Sequence, residues 1–190
     1  EKAHCVVGCY MMNVKGRTIF LADATVNVYP DSRTLAEIAV QTAKVARRFG
    51  VAPKVAMLSF SNFGSSRAQR SERIEDAIEF ARELDPSLVI DGPMQADTAL
   101  NGAVQSEYPF MDFKGPANVL VLPNLAAANI AYKLLEELGD AEMTGPILEG
   151  MDKPVQLVAR QDGVRHIVNM AAICAADALR QDSYWETLVT

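Results

Sequence analysis

The chain has 190 residues, 49% of them hydrophobic, 22% charged, with a formal net charge of −6. That is enough apolar material for a real core, in one domain or a domain plus part of a second, and the negative charge leaves no footprint for nucleic acid. No run of about 18 apolar residues is present, so a membrane span is excluded, and EKAHCVVGC lacks the profile of a signal peptide, which points to the cytoplasm. The chain opens without Met inside an apparent strand and reads as a piece of a longer protein.

In chain order, HCVVGCYMM, NVKG and RTIFLADAT predict two antiparallel strands joined by a tight turn, with Gly16 supplying the backbone freedom a hairpin needs. PDSRTLAEIAVQTAKVARRFG predicts an amphipathic helix with Asp31 or Ser32 as N-cap and Gly50 as C-cap. KVAMLSF then reads as a buried strand, SNFGSS as a small-residue loop, RSERIEDAIEFARELD as a helix, and LVIDG as a strand. A polar segment with QADTAL precedes a further buried strand, NVLVLP, and a helix, NLAAANIAYKLLEELG, closed by Gly139. The last helix spans about residues 164 to 180 and places Ile167, Met170, Ala171, Cys174 and Ala178 on one face. Strands apolar on both faces that alternate with helices define an α/β class: a mostly parallel sheet flanked by helices, with one antiparallel hairpin.

Cys5 and Cys9 stand four apart on the first strand, about 13 Å along it, and cannot bridge. With Cys174 the only other cysteine and His4 and His166 the only histidines, a metal site is not expected.

Ligands of open α/β sheets bind at loops leaving the C-terminal strand ends. Residues 59–67, SFSNFGSSR, offer Ser61, Asn62, Gly64 and Ser65 just before a helix, a place where free backbone N–H groups receive phosphate or carboxylate, or where serines merely cap. Residues 91–97 carry Asp91, Gln95 and Asp97, suited to orienting a loop, gripping a metal or, for Asp97, capping a helix. Asn124 and Asn129 flank the start of a helix on which Lys133, one turn on, is either solvated or able to reach a phosphate. Arg160 lies between an apolar strand and a helix, where a guanidinium suits bidentate anion recognition. His166 titrates near neutrality and is a candidate base, but no Ser, Cys or carboxylate stands at suggestive spacing, which favours a structural role.

ADATVN (22–27), KVAMLSFSNFGSS (54–66), IDGPMQAD (90–97), ANVLVLPNLAAANIAYKLLEELG (117–139), GPILEGMDKPV (145–155) and RHIVNMAA (165–172) together resemble the phosphate acetyl/butyryl transferase family, over essentially the whole chain but only the later part of that family's length. The resemblance implies an isocitrate/isopropylmalate dehydrogenase-like (phosphotransacetylase) fold, truncated. Residues 1–155 would be the second subdomain, which borders the CoA cleft and carries dimerisation, and 156–190 a segment of a first subdomain otherwise absent. The family's Ser-Arg-Gly, with an Asp five residues after the Gly, aligns here with Ala159, Arg160, Gln161 and His166, and its ADCAVN motif has Ala24 for Cys while Asp23 and Asn27 remain.

Losing a positioned base removes about 10²- to 10⁴-fold of rate, whereas binding needs only the retained groups. The expected ligand-binding set is therefore Asn27, Ser61, Asn62, Gly64, Ser65, Asn124, Asn129, Lys133 and Arg160, with Asp23, Asp91, Gln95 and Asp97 orienting loops and Ala24, Ala159 and His166 as degraded catalytic positions. SFSNFGSS, NVYPDSRTLAEIA and the altered Ser-Arg-Gly motif look most like the C-terminal phosphotransacetylase-like domain of bacterial NADP-dependent malic enzymes. That implies an acetyl-CoA-sensing homo-oligomer whose malate-decarboxylating partner domain holds NADP and a divalent metal outside these residues. A working phosphate acetyltransferase with His166 as base, or a dimerisation module that binds nothing, are the alternatives.

Overall fold

Six strands form one sheet in the computed structural model, which describes residues 5–65 and 69–189. His4, Ser66 and Arg67 lie outside the described residues. Strands β1 (Val7–Val14) and β2 (Arg17–Ala22) make the expected hairpin. Its two-residue turn holds Lys15 at φ 50° and Gly16 at φ 73°, the left-handed pair whose twist matches that of the strands it joins. Helix α1 (Ser32–Arg48) follows, then β3 (Val55–Leu58), α2 (Gln69–Leu84), β4 (Ile90–Met94), the short α3 (Ala96–Leu100) and α4 (Gly102–Gln105), β5 (Val119–Val121), α5 (Leu125–Gly139), β6 (Glu142–Glu149) and α6 (Val164–Val189).

The strand order is β4-β3-β5-β2-β1-β6. β4, β3, β5 and β2 are mutually parallel, while β1 runs antiparallel to both β2 and β6. β6 and the two short helices are absent from the sequence reading, and the apolar strand expected just before Arg160 does not form. The sequence of β6, EMTGPILE, carries Gly145 and Pro146, residues that disguise a strand, and β1 accommodates them through a register shift between Cys9 and Met11.

Alternation along each strand builds two cores. Phe20 and Ala22, Val55 and Met57, and Val119 and Val121 face α1, α2 and Met170 of α6. Ile19 and Leu21, Ala56 and Leu58, and Leu120 face Ala99 of α3 and Ala128 and Tyr132 of α5. A one-residue slip in any of these strands would exchange its two apolar sets between cores.

The helix ends follow local chemistry. Asp31 caps α1, its carboxylate accepting the Thr34 N–H at 2.8 Å, and Gly50 follows the C-cap Phe49 in the left-handed region. At the end of α5 the left-handed residue is Asp140 rather than the expected Gly139. Arg48, at the last turn of α1, reaches Glu149 Oε2 at 2.5 Å and Asp177 Oδ1 at 3.3 Å, tying α1 to β6 and α6. Burial pushes the Glu149 carboxyl up, opposed by the Arg48 charge.

The Thr34 N–H bond holds the Asp31 carboxyl below its ordinary range. The stability it contributes is therefore present above the usual aspartate pKa and lost as pH falls through the lowered value. Asp31→Ala is expected to cost about 1 kcal/mol at neutral pH in urea unfolding, with the gap to the parent protein closing in acid.

Candidate functional site

β3 and β5 are parallel neighbours, yet α2 after β3 packs on one face of the sheet and α5 after β5 packs on the other. Their connections diverge, and a topological switch of this kind marks the C-terminal strand ends, between loop 59–65 and residues 122–124, as the candidate ligand crevice. The 23–31 loop leaving β2, the other neighbour of β5, borders it.

Asp23 shapes that border. Only 2% exposed, it receives the N–H groups of Gly8, Thr25 and Val26 on one oxygen at 3.3, 2.8 and 3.1 Å. Its other oxygen takes the Asn27 N–H at 2.9 Å and the Asn27 side-chain amide at 2.5 Å. Asn27 donates again to the Val6 carbonyl at 2.9 Å, so one carboxylate and one amide bind the loop to β1. Gly8 makes this approach possible, because a Cβ there would stand 2.6 Å from Thr25 Cβ. Ala24 is buried in the core on the α5 side.

Loop 59–65 is held by side-chain amides. Asn62 accepts the Gln95 N–H at 2.7 Å and donates to Gln95 Oε1 and the Tyr108 hydroxyl, each at 3.1 Å. Gln95 in turn donates to the Phe60 carbonyl at 2.9 Å. Ser61 is buried with no partner for its hydroxyl, Gly64 takes a left-handed φ of 70°, and the Ser65 N–H bonds the Asn62 carbonyl at 2.9 Å. On the far side, Asn124 caps α5 by accepting the Ala127 N–H at 2.9 Å, and half-buried Asn129 lies one turn on.

Arg73 of α2, which no sequence argument singled out, spans the crevice border. Its guanidinium donates to the Pro30 carbonyl at 2.8 Å and the Pro123 carbonyl at 2.9 Å, linking the loops after β2 and β5. Its partners are 43 and 50 residues away, so only the fold reveals it. Exposed Val26, Val28, Tyr29 and Phe60 sit on the same loops and add apolar surface.

The remaining expected residues lie elsewhere. Lys133 is exposed on α5, its ammonium 5.0 Å from the centre of the Tyr132 ring. Arg160 precedes α6, which packs on the opposite face of the sheet from α5, so the two cations do not converge. Arg165 lies 3.8 Å from Glu142, at the opposite end of β6 from Glu149, and Glu149 pairs with Val7 beside the Asp23 loop. The Arg160–His166 corner is thus remote from the crevice.

That corner holds a carboxylate which the sequence reading overlooked. Asp162 accepts the Ala159 N–H at 2.6 Å and stands 3.5 Å from His166 Nε2, an i,i+4 pair across the start of α6. Asp97 does not cap α3; its carboxylate takes the adjacent Thr98 N–H, and Gln95 occupies the cap position. Asp91, at the start of β4, accepts the Gly92 and Asp112 N–H groups, and burial raises its carboxyl above the ordinary range against those bonds.

Among the described residues, no three His, Cys, Asp or Glu side chains form a metal-holding group. Burial pushes the Cys9 thiol up to about 12 and the Cys5 thiol to about 11, so neither is a ready nucleophile. Asp23, the buried carboxylate of the loop after β2, has both oxygens committed to that loop.

The family model of phosphate acetyl/butaryl transferase matches residues 1–175. An NADP-dependent malic enzyme of Rhizobium meliloti is 42% identical over 178 residues, 94% of this chain and 23% of that protein. A phosphate acetyltransferase of Bacillus subtilis is 41% identical over 173 residues, 90% of this chain and 54% of that protein. The crystal structure of a phosphotransacetylase from Streptococcus pyogenes superposes with a TM-score of 0.89 at 37% identity, covering 94% of this chain and 55% of that one. The chain therefore spans about half the length of the transferases and under a quarter of the malic enzyme.

Asp23→Ala would leave the buried Gly8 N–H and the loop amides without their acceptor, at about 1–3 kcal/mol for each one that water cannot reach. A loss of at least about 3 kcal/mol is expected in chemical unfolding, whereas Arg160→Ala, at an exposed turn, should change stability by under about 0.5 kcal/mol.

Proposed function

The chain belongs to the phosphate acetyl/butaryl transferase family, and we propose that it is the regulatory, acetyl-CoA-binding domain of an NADP-dependent malic enzyme in which acetyl transfer has lapsed. The malic enzymes it resembles are about four times its length and carry their matching segment as one part of a larger polypeptide. In such a parent the preceding part would decarboxylate malate oxidatively in the cytoplasm, holding NADP and a divalent metal outside these residues. Among the described residues no helix is long and apolar enough to cross a membrane.

One observation carries the reading: the crevice joins apolar side chains, loop amides and the Arg73 guanidinium, while Asp23, the buried carboxylate at the β2 end, is spent on folding the loop. At the β2 end such a site has grip while its buried carboxylate is held by five donors. The family's serine, aspartate and cysteine positions, occupied by Ala159, His166 and Ala24, agree with lost chemistry. An effector acts by favouring one arrangement over another, and couplings of about 1–3 kcal/mol, or 5- to 150-fold, suffice.

The segment from residue 156 onward would belong to a first subdomain. Val164, Val168 and Leu179 of α6 are exposed, as are Val155, Leu157 and Val158 just before it, an apolar surface suited to further chain.

A second reading, a working phosphate acetyltransferase, draws on the Asp162–His166 pair. The carboxylate would hold the imidazole through Nε2 and leave Nδ1 to accept the CoA thiol proton. Two measurements on the parent protein separate the readings. Calorimetry is expected to show saturable acetyl-CoA binding, weakened at least about tenfold by Arg73→Gln, whose lost contacts loosen the crevice border. Acetyl phosphate formation is expected to stay near background; robust turnover abolished by either His166→Ala or Asp162→Asn would establish the second reading instead.

A further inference from the structure

Loop 59–65 meets the segment after α4 in a cluster of aromatic rings. Phe63 lies 5.1 Å from Tyr108 and 4.9 Å from Phe110, centre to centre, the second contact edge to face, and Tyr108 stands edge-on to Phe110 at 6.1 Å. Phe63 and Tyr108 pack against the core on the α5 side, whereas Phe110 is 65% exposed. Phe63 holds its place at a φ of 45°, a left-handed conformation that a bulky side chain adopts only under constraint and that gathers at ligand-contacting loops. Its N–H, bonded to the Pro93 carbonyl at 2.7 Å, and the Asn62–Gln95 pair keep the loop in that shape. An exposed phenyl ring on so fixed a base covers little core, and its open surface is a stacking platform.

We propose that this cluster seats the adenine ring of the acyl-CoA effector, stacked on Phe110, with the adjoining ribose phosphate on Lys114; the proposal rests on the acetyl-CoA reading given above. Three observations select a phosphorylated base over a purely apolar occupant. Lys114 donates to the Pro109 carbonyl at 3.1 Å, which brings its ammonium to the peptide joining Pro109 to Phe110, and an ammonium has three donors with which to receive an anion as well. The carboxylate two residues after Phe110, Asp112, is paired with Arg82, which offsets its charge. The Tyr108 hydroxyl accepts from the Asn62 amide at 3.1 Å, so its own O–H is left to donate to a ring nitrogen. The cluster is also continuous with the crevice. Loop 59–65 bonds Gln95 on its β4 side and borders the crevice on its β5 side, so one loop lies between the two ends of the ligand.

Calorimetry on the full-length protein tests it, with NADP at saturation to fill the nucleotide site of the catalytic part. Phe110→Ala is expected to weaken acetyl-CoA and adenosine 3′,5′-bisphosphate about 5- to 150-fold with unchanged circular dichroism, and to leave the binding of acetyl-pantetheine, which lacks the nucleotide, as it was. Phe110→Trp, which keeps a ring face, should restore both. Lys114→Gln should cost the bisphosphate its advantage over adenosine 5′-phosphate. Acetyl-CoA bound equally well by the Phe110→Ala variant overturns the adenine seat and leaves the effector reading standing. Bisphosphate binding that depends on Phe110, in a protein that does not bind acetyl-CoA, keeps the nucleotide seat and overturns the effector reading; binding of neither overturns both.

Discussion

A single buried carboxylate organises the functional end of this molecule. Asp23 takes four backbone N–H groups and one side-chain amide into a space that is almost closed to water. Without it, the chain leaving β2 would have to satisfy those donors by another route, and the loop from 23 to 31 would lose its attachment to β1. That loop in turn supplies the Pro30 carbonyl to Arg73 and the Val28 carbonyl to the first amide of α5, at 2.8 and 3.2 Å. The border of the crevice is therefore assembled outward from one residue, and what the crevice can do chemically is limited by the same fact. A carboxylate saturated with donors anchors backbone; it is not free to move protons.

The molecule divides its polar resources between two ends of the sheet. At the C-terminal ends of the parallel strands lie amide networks, the Arg73 bridge and exposed apolar side chains. At the other end of β6 lie Arg160, Asp162 and His166, ordered by a turn whose hydrogen bond runs from Ala159 to Asp162. Arg48 ties the intervening elements into one body, holding α1, β6 and α6 through two carboxylates. A ligand that engages both ends would need further chain to bridge them, which accords with a domain that spans about half the length of its transferase relatives.

Much of the fold was legible because the strands announce themselves twice. In KVAMLSF and NVLVLP both alternating sets are apolar, and the structure spends one set on each core. Candidates for the helix caps were legible for a local reason, a short polar side chain three residues before the N–H it accepts; the structure selects Asp31 over Ser32, and Asn124 over Asn129. What escaped was either non-local or disguised. Arg73 looks like one more charge on a polar helix until the fold brings two proline carbonyls to it. β6 hides behind Gly145 and Pro146, whose presence argues against a strand unless a register shift absorbs them. The Asp162 carboxylate was open to view, four residues before His166, but it lies in the turn ahead of α6, and the i,i+4 pair shows only once that turn is placed against the first turn of the helix. Lys133 and Arg160 were grouped by charge alone, and only the assignment of α5 and α6 to opposite faces separates them.

Amide hydrogen exchange at Gly8, Thr25, Val26 and Asn27 tests the role of Asp23 most directly. These four N–H groups should exchange as slowly as those of the central strands, although three of them lie in a loop, and Asp23→Asn should release them while leaving strand amides protected. Exchange at the rate of an open loop in the parent protein would mean that the carboxylate does not hold the crevice border.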